Sequence, residues 1–127
     1  MSSILVVDDD RELLGLVESV LKKENYEVAV AANANEALAH LAKMKPTLIL
    51  MDVMMPDTDG ADLVRLIRKR RDLNTVRIIF MTGLADAGAQ QVISVDKMNY
   101  RCLAKPFSVA HLIKTVRLAT GVVESKE

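Results

Sequence analysis

Tryptophan is absent and Phe and Tyr contribute two residues each, so aromatics make up 3% of the 127-residue chain. Such scarcity argues against stacking platforms for single-stranded nucleic acid and against aromatic cages for cationic ligands. A single cysteine, Cys102, excludes an internal disulfide and any cysteine-based metal cluster, and fits a reducing, intracellular setting. Neither sign of charge prevails: 17 basic and 17 acidic residues cancel, which removes the electrostatic reason to expect nucleic acid or an anionic membrane as partner. No charged-then-apolar signal pattern opens the chain, and no apolar run approaches the roughly 18 residues that a membrane helix requires. The expectation is a cytoplasmic protein that binds neither membrane nor nucleic acid. Internal repeats and low-complexity tracts are missing as well.

Half of the residues are hydrophobic, enough for one core without staples. A single domain is expected over residues 1–121, with residues 122–127 as a frayed tail. Ile4 to Val7 is a branched apolar run that opens into Asp8-Asp9-Asp10, and it reads as a buried first strand followed by an acidic loop. A helix from Arg11 to Asn25 follows, apolar at helical spacing, with Asp10 as its cap and Lys22 and Lys23 near its negative end. Glu27 to Ala31 alternates weakly and reads as a second strand nearer the edge. Asn33 or Asn35 caps the next helix, which extends to about Met44 and is stopped ahead of Pro46.

Leu48 to Met51 is an apolar run that ends on one carboxylate, Asp52. This is the pattern of a buried parallel strand that delivers a side chain to the rim of a sheet. Pro56 and Gly60 place a loop over the strand's end, with Asp57 and Asp59 as turn residues. Ala61 to Asp72 is the third helix; its terminal Arg and Lys residues read as a solvated, dipole-compensating end. A fourth strand, Val76 to Met81, ends on Thr82. Leu84 to Lys97 is expected to be the weakest helix, and Tyr100 to Ala104 a fifth strand ending on Lys105. Ser108 caps a final helix that Gly121 ends.

Strict alternation of five strands and helices predicts an α/β doubly wound sandwich on a parallel sheet of order 2-1-3-4-5. Ligands of such sheets bind outside the carboxyl ends of the strands, where the strand order reverses. That places Asp8, Asp9 and Asp52 in one pocket with Thr82 and Lys105 beside them. Three carboxylates together repel one another, and Mg²⁺ is the cation best suited to keep them ionised while sharing positions with phosphate oxygens. A carboxylate is also a nucleophile toward phosphorus, and phosphoryl transfer demands in-line placement and charge stabilisation above all.

Val6-Val7-Asp8-Asp9, Asp52, Met55-Pro56, Gly60, Thr82 and Lys105-Pro106-Phe107 together resemble the response-regulator receiver domains of two-component signalling, in spacing as well as identity and over essentially the whole chain. The resemblance implies a flavodoxin-like (βα)5 fold and a chemotaxis-regulator-like switch. By position, Asp52 would accept a phosphoryl group from a histidine kinase or phosphotransfer protein. Asp8, Asp9, Asp52 and the Met54 backbone carbonyl would hold Mg²⁺, and Thr82 and Lys105 would bind phosphoryl oxygens. The output would be altered contact with a downstream protein, a phosphorylation-dependent dimer being one form of it.

Two departures from the family pattern stand out. Cys102 occupies the position three residues before the lysine where the family carries Tyr or Phe, so it cannot report phosphorylation by an aromatic swing; Tyr100, on the same pleat face, could partly substitute. Met54 and Leu84 place apolar side chains where the family often has polar groups that orient hydrolytic water, which predicts slow self-dephosphorylation. His40 and His111 lack ligand spacing, and the seven Met residues read as core filler. The competing classes are a degenerate receiver acting as a constitutive scaffold and an aspartyl-phosphate hydrolase. The latter is disfavoured because Met54 stands where such an enzyme has its general acid.

Overall fold

The computed structural model describes residues 2–83 and 92–121. Strand β1 (Ser3–Val7) leads to helix α1 (Arg11–Lys23), then β2 (Glu27–Ala31), α2 (Ala34–Leu41), β3 (Leu48–Asp52) and α3 (Gly60–Lys69). A 3₁₀ turn at Arg71–Leu73 precedes β4 (Arg77–Thr82); β5 (Val92–Val95), β6 (Met98–Ala104) and the C-terminal helix α4 (Val109–Thr120) follow. The sheet order is β2-β1-β3-β4-β6-β5.

The interior strands explain their own continuous hydrophobicity. Because successive side chains alternate across a sheet, Leu5, Val7, Ile49, Met51 and Phe80 enter the core shared with α2 and α3. Their neighbours Ile4, Val6, Leu48, Leu50 and Met81 enter the core under α1 and α4. A strand covered on both faces carries no polar face, which is why β3 is buried at every residue through Asp52.

Helix ends are set locally. Asp10 accepts hydrogen bonds from the amides of Glu12 and Leu13 at the start of α1. Of the two candidate caps for α2, Asn33 does the work: its Oδ1 accepts from the Glu36 amide, and Glu36 reaches back to the Ala32 amide, each at 2.8 Å. The helices are shorter than periodicity suggested. Helix α1 stops at Lys23 ahead of Asn25, whose φ is +70°, α2 stops at Leu41, and α3 at Lys69. Asp59, expected only to turn the chain, caps α3 through the Ala61 amide. Ser108 caps α4, and Gly121, at φ +77°, ends it as expected.

The principal correction concerns the fourth helix and the strand count. Residues 84–91 of the expected helix lie outside the described residues, but its last part is strand: Val92 to Val95 pairs antiparallel with Met98 to Arg101. The sheet therefore has six strands instead of five and one antiparallel pair. Two of the three β-branched side chains, Val92 and Val95, flank a Val-Ile-Ser-Val segment suited to a pleated edge. The two-residue turn between the strands has positive φ at both Asp96 (+50°) and Lys97 (+71°), the twist that a tight hairpin demands. Arg65 of α3 bonds Asp96 through both carboxylate oxygens at 3.2 Å, holding the turn against α3.

A second feature of this half of the sheet was not expected. Strands β4 and β6 are in register only over Phe80 to Thr82 and Cys102 to Ala104. Below those rungs β4 stays with β3 and β6 stays with β5, so the sheet parts.

Candidate functional site

The carboxyl ends of β1, β3, β4 and β6 converge. Asp8 follows β1 and is fully buried; its amide donates to the Ala31 carbonyl at 3.0 Å, and its Oδ1 accepts from the Asp10 amide at 2.9 Å. Asp52 closes β3 and is buried, with Oδ1 facing the Met54 amide at 3.4 Å. Carboxylate oxygens of Asp8, Asp9 and Asp52 lie within 4.8 Å of one another, Asp9 being the exposed member. The Lys105 amide donates to the Thr82 carbonyl at 2.7 Å, which ties the ends of β4 and β6 together. From there Lys105 Nζ reaches Asp8 Oδ2 at 2.5 Å and Asp52 Oδ2 at 3.7 Å. Thr82 is buried beside them.

Electrostatics single out Asp52. Desolvation pushes its carboxyl up from 3.8 to about 6; the Asp8 charge adds to the rise and Lys105 opposes it. One ammonium among three carboxylates leaves the cluster short of positive charge. The donor set is all oxygen, matching a hard divalent cation of the Mg²⁺ type.

Gly60 matters for a reason the sequence did not disclose. It begins α3 with ordinary backbone angles, and its amide donates to the Val53 carbonyl at 2.8 Å. A Cβ built there would sit 2.6 Å from the Asp52 carbonyl oxygen and 2.9 Å from that of Val53. Glycine is required by close approach, not by a special φ. The loop between is closed by an antiparallel bridge between Met54 and Asp59, and the Met54 side chain is 66% exposed.

Of the residues set aside for switching, Cys102 is partly buried and its thiol is pushed up by desolvation, so it behaves as a small strand residue. Tyr100 is buried, edge-on to Phe80 with ring centroids 5.7 Å apart. Arg68 Nε donates to its hydroxyl at 3.0 Å while the guanidinium lies 5.4 Å from the ring centroid. Leu84 lies outside the described residues. His40 bonds the Val30 carbonyl at 2.9 Å, a structural contact. Sequence reasoning missed Arg68, since no local pattern links it to a tyrosine so far along the chain.

A carboxylate at the rim of a doubly wound sheet, flanked by two acids, an ammonium and a hydroxyl, is an arrangement chemically suited to phosphoryl transfer. Residues 4–117 match the family described as the response regulator receiver domain. Among solved structures, the chain is 30% identical to the chemotaxis response regulator CheY4 of Vibrio cholerae, covering 94% of this chain and 98% of that one with a TM-score of 0.82. It is 28% identical to the response regulator TrrA of Thermotoga maritima, solved with Mg²⁺ and BeF, over 94% and 99% of the two chains with a TM-score of 0.77. It is 26% identical to the receiver domain of a signal transduction histidine kinase from Syntrophus aciditrophicus, over 100% and 96% with a TM-score of 0.79. The chain belongs to the response-regulator receiver family. It is thus a phosphorylation-controlled signalling switch and not a turnover enzyme. Among the described residues no helix is long and apolar enough to cross a membrane.

Proposed function

We propose that Asp52 is the phospho-acceptor and that Asp8, Asp9, Asp52 and the Met54 backbone carbonyl hold Mg²⁺. The observation that carries this reading is the meeting of three carboxylates within 4.8 Å beside the Lys105 ammonium. An Asp52 carboxylate oxygen attacks the phosphorus of a phosphohistidine on a histidine kinase or phosphotransfer protein. The P–O bond forms as the P–N bond breaks, and the leaving imidazole takes up a proton. Bound Mg²⁺ supplies positive charge to the phosphoryl oxygens. Lys105 leaves Asp8 for one of those oxygens, and Thr82 donates its hydroxyl to another. The ionised form of Asp52 is the nucleophile, so a cation that lowers its raised pKa also activates it.

Residues 1–121 form the functional unit in this reading, which acts in the cytoplasm on a downstream protein, with a phosphorylation-dependent dimer as one output. The acyl phosphate is long-lived, because Met54 and Leu84 offer no polar group to orient hydrolytic water. The test is intact-mass analysis after incubation with acetyl phosphate and with a phosphorylated histidine kinase, each with and without Mg²⁺. One phosphoryl group is gained with Mg²⁺ and none by Asp52→Asn. In the same experiment the phosphorylated mass decays faster when Met54 and Leu84 are made polar. Failure with both donors would leave a constitutive scaffold as the better reading.

A further inference from the structure

Helices α2 and α3 cover the same face of the sheet, and their carboxyl ends meet where the parallel strands begin. Arg70, which caps the end of α3, donates from Nη1 to the carbonyl of Leu41, the last residue of α2, at 2.9 Å. Its other nitrogens take both oxygens of Asp72, Nε to Oδ1 at 3.2 Å and Nη2 to Oδ2 at 2.7 Å. These bonds hold the Asp72 carboxyl below its usual range. The charge of Lys45 contributes as well, which places the segment after α2 beside the turn after α3.

Positive charge accumulates there. Lys43 and Lys45 follow α2, and Lys69, Arg70 and Arg71 end α3, whereas Asp72 is the one acid in segments 42–46 and 66–77. Asp62 and Asp96, the acids on and against α3, are taken by Arg65. Lys43, Lys45, Lys69 and Arg71 are exposed and form no ion pair among the described residues. The other face of the sheet differs: Lys22 near the end of α1 pairs with Glu18 at 3.0 Å, and Arg117 of α4 pairs with Glu24. Compensating two helix dipoles calls for about one positive charge in all, and Asp72 for one more. The five cations at the ends of α2 and α3 exceed both, in a chain whose total charge is zero. Net charge conceals this local surplus.

We propose that this basic end docks on the surface of an anionic lipid bilayer. A nucleic acid fits less well: both helices end at the patch instead of lying along it, so neither can enter a groove, and segments 42–46 and 66–77 hold no aromatic ring for a base to stack on. An acidic peptide needs a strand edge or an apolar pocket to fix it, and these cations stand on helix ends and a 3₁₀ turn. A plane of anionic headgroups asks only for Lys and Arg clustered close to it. Docked in this way, α3 rests its basic end on the lipid. Its 10 residues span about 15 Å, and Gly60 at the far end lies against the Asp52 carbonyl, so the carboxylate cluster faces the solution. Binding here requires neither phosphorylation nor a metal, so it stands or falls separately from the role of Asp52.

The test is co-sedimentation of the full chain with vesicles of equal parts phosphatidylglycerol and phosphatidylcholine, set against vesicles of phosphatidylcholine alone, in about 0.1 M salt, where charges more than about 10 Å apart are screened. The chain is expected to pellet with the anionic vesicles, to stay in solution with the neutral ones, and to be released progressively as salt is raised. The Lys43→Glu, Lys69→Glu, Arg71→Glu triple variant binds about tenfold or more weakly. The corresponding triple change to Gln, which adds no new charge, gives a smaller loss in the same direction and guards against misfolding of the first. A matched reversal elsewhere on the surface, Lys23→Glu, Arg101→Glu, Lys114→Glu, weakens binding by about threefold at most. The proposal is overturned if the chain does not pellet, if neutral vesicles retain it equally, if the first triple variant binds as the parent does, if the matched reversal costs as much, or if a single-stranded oligonucleotide or polyglutamate binds more tightly than the anionic vesicles at equal concentration of negative charge.

Discussion

The two ends of one pair of strands are built on opposite rules. Where β4 and β6 finish they are in register, tied by the Lys105 amide to the Thr82 carbonyl, and the Lys105 ammonium is held among carboxylates. Where they begin they part, and Arg68, Arg77, Arg101 and Lys114 line the cleft between them with no Asp or Glu. A parallel sheet gathers loops at its carboxyl ends, and there this chain has placed an excess of negative charge that a bound cation can answer. At the other end it has an excess of positive charge and open backbone. The contrast is between a cluster of carboxylates that a small hard cation would suit and a cleft lined by cations without acids.

The largest expected effect breaks the tight end. Gly60→Ala forces a methyl group onto the Asp52 and Val53 carbonyl oxygens, which are fixed backbone and cannot yield as a side chain can. A loss of about 2–4 kcal/mol is expected in denaturant unfolding, together with loss of phosphorylation at Asp52.

Next is a gain. Asp52 has a folded-state pKa of about 6 against 3.8, so between those values the folded chain binds more protons than the unfolded one and stability falls as pH rises. Asp52→Asn, in EDTA, is therefore more stable than the parent at pH 7 by about 1–3 kcal/mol. The difference shrinks as pH falls through 6 and vanishes below 3.8, which urea unfolding across that range would read. A constant difference at all pH values would mean that burial of charge is not what strains this end.

The smallest effect sharpens the other end. Tyr100→Phe keeps the ring against Phe80 and removes only the hydroxyl that accepts from Arg68. A loss of about 0.5–1.5 kcal/mol is expected, with phosphorylation by acetyl phosphate unchanged.

Much of this was legible in the sequence, for identifiable reasons. Strands β1, β3 and β4 are buried on both faces, so their composition alone declared them, and the polar residue that ends each run marked the site. The hairpin was not legible. Val92 to Val95 is too short for periodicity to separate strand from helix, and Asp96-Lys97 lacks the Asn-Gly signature of a tight turn. Its stabilising contact, Arg65 to Asp96, joins residues that no local rule pairs. Gly60 was read as part of the loop over the strand's end, when what demands glycine there is a steric limit imposed by the Asp52 and Val53 carbonyls. The parting of β4 from β6 depends on where two strands leave register, which composition does not encode.

Helix α3 gives the anchoring of the hairpin a mechanical meaning. One end of the helix is seated directly on the Asp52 carbonyl through Gly60, and five residues along, about 7.5 Å up its axis, Arg65 grips both Asp62 and the tip of the hairpin. The helix is a connecting rod between the loop that follows Asp52 and the turn at the sheet's outer edge. A displacement of its seat would reach that edge as a push along a rigid bar, and such a route would need no aromatic ring at position 102.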